Sequence, residues 1–210
     1  MLGPMTELDA VNEMLASIGE APVNSIGTGL SESRLAQLQL ERTSREVQRK
    51  GWFFNREYNY KLIPNNKGEI QLPRNTLKLD SGTQRFQARG RRLYDTLRNT
   101  YQFKDHVHVD LIKGLSWGDL PTSAQIFIVA KASRVFQNDF LGSESLSQFH
   151  LRDEQVALAE LEAEELEAGN YSIFNNPEIA RDMQRHSSRN HSYSDGFLGS
   201  TYSNLTGDLD

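Results

Sequence analysis

Pro121-Thr-Ser-Ala-Gln-Ile-Phe-Ile-Val-Ala-Lys-Ala-Ser-Arg-Val-Phe-Gln-Asn-Asp-Phe140 sets the architecture. Proline suits a first helical position, because the N–H it lacks would be unpaired there. Val129, Ala132, Phe136 and Phe140 then recur at helical spacing, and Ile126, Phe127 and Ile128 widen the apolar face. Lys131, Arg134 and Asn138 form a polar edge, and Gly142 ends the segment. This is expected to be the most buried of four helices.

Toward the N-terminus the helical period vanishes between Trp52 and Trp117. Short runs replace it: Tyr58 to Ile63, Glu69 to Leu72, Thr76 to Leu79, Arg85 to Ala88 and His106 to Ile112. Pro64, Asn65-Asn66, Gly68, Pro73, Gly82 and Gly90 separate them at hairpin-like intervals. The pattern predicts a small antiparallel sheet. Before it, Thr6 and Asp9 mark a helix start, Leu8, Val11, Leu15 and Ile18 give one face, and Gly19 stops the helix. A second helix starts at Ser31 or Ser33, buries Ala36, Leu40, Thr43 and Val47, and ends at Gly51. Its stripe of Arg42, Arg45 and Arg49 reads as a solvated face supported by Glu41–Arg45 and Glu46–Lys50 pairs, or as a phosphate rail.

Beyond Gly142, a fourth helix is expected from about Gln148 to Ala168, with Val156, Ala159, Ala163 and Leu166 inward and Glu160, Glu164 and Glu167 on another face. From Asn170 the composition turns to Ser, Asn, Gly and Tyr, which predicts a docked extension through Tyr171, Ile173, Phe174, Ile179 and Met183 and a flexible stretch from Ser187 to Asp210. A polar arm follows, carrying Tyr193, Phe197, Leu198 and Tyr202. The fold class is α+β, mainly α: a four-helix bundle, a small antiparallel β insertion between helices 2 and 3, and an extended C-terminal arm. The expected divisions are 1–51, 52–118, 119–169 and 170–210.

The 210 residues carry 23 Lys+Arg and 28 Asp+Glu, a net charge of −5. The charge is segregated: residues 51–117 hold 12 basic and 6 acidic side chains, and residues 118–169 hold 3 and 10. Each segment suits a partner of opposite sign, including another copy of the chain. No run approaches the roughly 20 apolar residues of a membrane span, and residues 1–6 lack the pattern of a signal peptide. Without cysteine there is no disulfide, thiol nucleophile or cysteine-ligated metal.

Phosphate-binding loops, dinucleotide fingerprints, nucleophile elbows and metalloprotease helices are all absent, so no enzyme and no cofactor is expected. His106, His108 and Asp110 share one face of a strand, and an exposed polar face accounts for them more simply than a metal does. The Asp153-Glu154 and Glu164-Glu165 pairs read as a charged helix face. Arg85, Arg89, Arg91 and Arg92 cluster near Tyr94, with Arg98, Tyr101 and Lys104 beyond. Cations interleaved with aromatics track phosphate backbones, so a small DNA-binding accessory protein using this β insertion is the alternative function.

Four segments carry a resemblance. Ala10-Val-Asn-Glu-Met-Leu-Ala-Ser-Ile-Gly-Glu-Ala-Pro-Val23 and Arg45-Glu-Val-Gln-Arg-Lys-Gly-Trp-Phe-Phe-Asn55 resemble tail tubular protein A, the head-to-tail adaptor family of short-tailed phages. Ala130-Lys-Ala-Ser-Arg-Val-Phe-Gln137 and Glu165-Leu-Glu-Ala-Gly-Asn-Tyr-Ser-Ile-Phe174 resemble the family's third helix and the end of its fourth. The resemblance runs from about Leu8 to Met183, with Met5 a candidate natural start. It implies a structural virion protein without catalysis, assembled in the host cytoplasm into a dodecameric ring between portal and tubular nozzle. Tail fibres attach near that joint, and genomic DNA passes through the ring without specific recognition. The arm residues Tyr171, Ile173, Phe174, Tyr193, Phe197, Leu198 and Tyr202 would reach neighbouring subunits and the portal. Arg85, Arg89, Arg91 and Arg92 would meet the nozzle or DNA, and either they or Glu160, Glu164 and Glu167 would face the channel.

Overall fold

In a computed structural model, residues 4–27, 31–80 and 85–174 are described. The chain is α+β, with four α-helices and two small antiparallel sheets among the described residues. It divides into two compact units, Met1–Glu165 and Leu166–Asp210. No helix among the described residues is long and apolar enough to cross a membrane.

Helix α1 (Glu7–Ser17) opens with a capping box: the Asp9 N–H donates to Thr6 Oγ1 at 3.1 Å, and the Thr6 N–H donates to Asp9 Oδ2 at 3.0 Å. The Thr6 hydroxyl, which donates to Asp9 Oδ2 at 2.6 Å, and then the Thr6 N–H hold the Asp9 carboxyl below its ordinary range. Helix α2 (Glu32–Gln48) buries Ala36, Leu40, Thr43 and Val47, the expected face. Gly51 follows it with φ +85°. Of the two expected pairs on α2, Glu41–Arg45 forms at 3.0 Å. Glu46 and Lys50 instead reach other helices, Glu46 meeting Lys131 at 2.8 Å and Lys50 meeting Glu162 at 3.2 Å.

Helix α3 (Thr122–Phe140) starts one residue after Pro121, which is its N-cap, and ends at Gly142 with φ +60°. Val129, Ala132, Phe136, Phe127 and Ile128 are buried, whereas Ile126 and Phe140 are exposed. The buried surface of α3 joins Val11, Met14 and Leu15 of α1, Leu40 of α2, Trp52 and Leu120 in one core. Helix α4 (Glu144–Phe174) enters this core through Ala157 and Leu161.

Two expectations for α4 are corrected. It is longer at both ends than Gln148 to Ala168, and it is helical through 170–174, where an extended segment was expected. Gly169 inside a helix costs only about 1 kcal/mol relative to alanine, so it does not end one. Its inward residues are Ala157 and Leu161, while Val156, Ala159, Ala163 and Leu166 are exposed. Apolar side chains occur on every side of α4, so spacing alone did not select the packed face.

In chain order, five strands lie between α2 and α3 among the described residues. β1 (Arg56–Leu62), β5 (Val107–Lys113) and β2 (Thr76–Asp80) form an antiparallel sheet in the order β1–β5–β2. β3 (Phe86–Arg89) and β4 (Arg92–Asp95) form a two-stranded ribbon turning at Gly90, φ +63°. Glu69 to Leu72 contributes isolated bridges to Gln102 and Arg92 rather than a strand. β4 falls where the sequence showed only a basic cluster. Leu62, Ile70, Leu72, Leu93, Phe103, Val109 and Leu111 make a second apolar core inside the sheet region.

Two amides fasten helices to sheet. Gln48, at the end of α2, accepts the Leu115 N–H through Oε1 at 2.7 Å and donates to the Leu115 carbonyl through Nε2 at 3.2 Å. Asn55 donates through Nδ2 to the Gln48 and Lys113 carbonyls, both at 2.8 Å, while its Oδ1 accepts the Trp52 N–H. Both side chains are buried and carry the polar atoms of a chain reversal into the interior already paired.

Candidate functional site

The basic cluster predicted from sequence is brought together on and around the β3–β4 ribbon, where its arginines have different tasks. Arg85 donates to Asp95 Oδ2 through Nε at 3.2 Å and Nη2 at 3.0 Å. Asp95 is buried, and its Oδ1 accepts the N–H groups of Leu97 and Arg98, each at 3.0 Å. Burial pushes the Asp95 carboxyl upward, but the bonds from Arg85, Arg98 and Leu97 and the guanidinium charge outweigh it and hold the group below its ordinary range. Arg92 pairs with Glu69 at 2.9 Å.

Between the arginines sits an aromatic stack. Arg89 lies over the Tyr94 ring at 3.5 Å, Tyr94 and Tyr101 have centroids 4.8 Å apart, and Arg92 lies over Tyr101 at 4.4 Å. Cation over ring orders both partners. It also covers a face of each tyrosine that a nucleic-acid base would need for stacking. Arg91 is exposed and has no ion pair or ring contact among the described residues.

Beside the ribbon, a cleft of 630 Å³ is lined by Arg85, Arg98, Lys104, His106 and His108 along with Asp95 and Asp105. The two histidine rings meet edge to face at 5.0 Å. Asp110, the expected third member of that face, accepts the Asn59 N–H at 2.8 Å, where Asn59 has φ +53° inside a register shift of β1. No metal-suited group of three or more His, Asp or Glu occurs among the described residues. A second cleft, of 490 Å³, lies between the α2 face bearing Ser44 and Gln48 and the segment Gly114–Trp117, with Glu7 and Arg74 at its edge.

The acidic residues lie on α4. Glu160 is exposed, Glu164 accepts the Ser123 hydroxyl at 2.6 Å, and Glu167 is exposed in the second unit. Nearby acids are structural: Glu154 meets Arg134 at 2.5 Å, Glu162 meets Lys50, and Glu165 accepts the Phe53 N–H at 2.6 Å. Tyr171, Ile173 and Phe174 fall on the helical backbone that ends α4. Tyr193, Phe197, Leu198 and Tyr202 lie outside the described residues.

Sequence reasoning missed Asp95 and Glu69, the carboxylates that fix two of the four arginines. Asp95 is flagged only by its place in β4, beside buried Leu93 and Tyr94.

Among the described residues, two apolar cores are buried while the charged ribbon and much of α4 face outward. The tail tubular protein family model matches residues 8–171. The chain belongs to that family, and is therefore a structural protein of the phage tail and a virion component. It is 29% identical over 148 residues to Tail tubular protein A of Klebsiella phage KP34, covering 69% of this chain and 79% of the relative.

Proposed function

We propose that this chain is the subunit of a head-to-tail adaptor ring that joins the portal to the tail nozzle and surrounds the path of the ejected genome. The observation that carries the reading is the family match across residues 8–171, which takes in nearly the whole of the described helices and sheets. Charge segregation supports it, since a basic ribbon and an acidic helix on one chain suit repeated heterologous contacts between copies. DNA meets the ring through charge alone. Basic walls hold phosphate and acidic walls let it pass, so the ribbon arginines and the row Glu160, Glu164 and Glu167 are the two surfaces offered to the channel. The portal, the nozzle and the fibres are the protein partners, with the C-terminal arm serving the portal side at the head-to-tail junction.

Light scattering on the purified chain, alone and with a portal ring, tests the reading. A ring-sized mass in either sample supports it and says whether the portal templates assembly. A persistent 23.9 kDa species that ignores the portal overturns it.

A further inference from the structure

Two exposed stripes on the helices share one spacing. On α2, Leu35, Leu38, Arg42, Arg45 and Arg49 follow each other at steps of three and four and point the same way. On α4, Leu146, Phe149, Asp153, Val156 and Glu160 repeat the same steps. Every member is solvent-exposed, Phe149 at 70% and Val156 at 55%. Each stripe begins apolar at its N-terminal end. Toward its C-terminal end one becomes cationic and the other anionic, and each covers about 21 Å of helix. No described ion pair within the chain uses Arg42, Arg49, Asp153 or Glu160.

Where the chain leaves α2, Lys50 reaches Glu162 and the Phe53 N–H reaches Glu165.

We infer that the α2 stripe of one copy seats on the α4 stripe of the next, apolar end to apolar end and arginines to carboxylates. A heterologous contact of this kind, repeated by a rotation that closes, builds a ring. The inference rests on the adaptor reading and gives Glu160 to the joint between subunits rather than to the channel wall.

Two charge-reversed chains test it: Arg42→Glu with Arg49→Glu, and Asp153→Lys with Glu160→Lys. Each alone is expected to lose the ring-sized species that the unaltered chain forms, with portal if portal is needed. An equimolar mixture is expected to recover it, since each variant then meets the other at both faces, and misfolded chains would not recover. Leu38→Cys with Phe149→Cys in the otherwise cysteine-free chain is expected to give a ladder of covalent multimers on oxidation. Rings that persist in both reversed variants, or that form without any ladder, overturn the stripe contact and leave the adaptor reading standing. An unaltered chain that never forms a ring, with or without portal, overturns both.

Discussion

Arg85 places Nε and Nη2 on one oxygen of Asp95, at 3.2 and 3.0 Å, while the other oxygen takes two backbone N–H groups from the turn after β4. One buried carboxylate thereby fixes the start of β3, the end of β4 and the loop that follows. Charge-assisted bonds of this kind are the strong ones, and a partner left behind in the interior is costly.

Asp95→Asn keeps the shape and removes the charge, and is expected to cost about 1.5–3 kcal/mol. The pH dependence follows from the lowered carboxyl. Its stabilisation is complete above the unfolded value near about 3.9 and is lost as pH falls through the lower folded value. Thermal melts at pH 7 and pH 3 should therefore separate more widely for the unaltered chain than for Asp95→Asn. Equal separation would show that Asp95 is not the acid-sensitive group.

Gly51→Ala should destabilise by about 1–3 kcal/mol, through left-handed backbone strain and overlap. The added Cβ would stand 2.5 Å from Ile112 Cδ1. Urea unfolding checks the midpoint, and Gly19→Ala is the control, since that glycine has φ +83° with open space around it.

Leu161→Ala should cost about 2–5 kcal/mol, because Leu161 is fully buried and its removal leaves a cavity between α4 and the helical core. Leu166→Ala, on an exposed position of the same helix, should fall within about 0.5 kcal/mol. Similar costs at both sites would mean that α4 packs through the stripe of Val156, Ala159, Ala163 and Leu166 after all.

Gln48→Ala strips the partners from the Leu115 N–H and carbonyl and should cost about 1–3 kcal/mol. Hydrogen exchange at Leu115 should accelerate in this variant. Unchanged protection there would count against the role given to Gln48.

Much of the helical architecture was legible because its signals are local. Thr6 and Asp9 cap α1, glycines at 19, 51 and 142 end segments in left-handed conformations, and the α2 face repeats at helical spacing. What could not be read depends on distant partners. The ribbon arginines looked alike in sequence, yet Arg85 is a buried-carboxylate partner, Arg92 answers Glu69, Arg89 covers Tyr94, and Arg91 faces outward. β4 was hidden because Arg91 and Arg92 stand before three successive buried residues, Leu93, Tyr94 and Asp95, which show no alternation. On α4 several apolar registers competed, and only packing picked Ala157 and Leu161.

The amides of Gln48 and Asn55 tie the two cores of the chain together. Asn55 spans the reversal between α2 and β1 and grips Lys113 at the end of β5, and Gln48 grips Leu115 two residues beyond it. The last turn of α2 is bonded directly to the segment after β5, and through Asn55 to the end of β5 itself. Sheet and helices are thus joined through buried, paired amides at the point where the chain turns from one to the other.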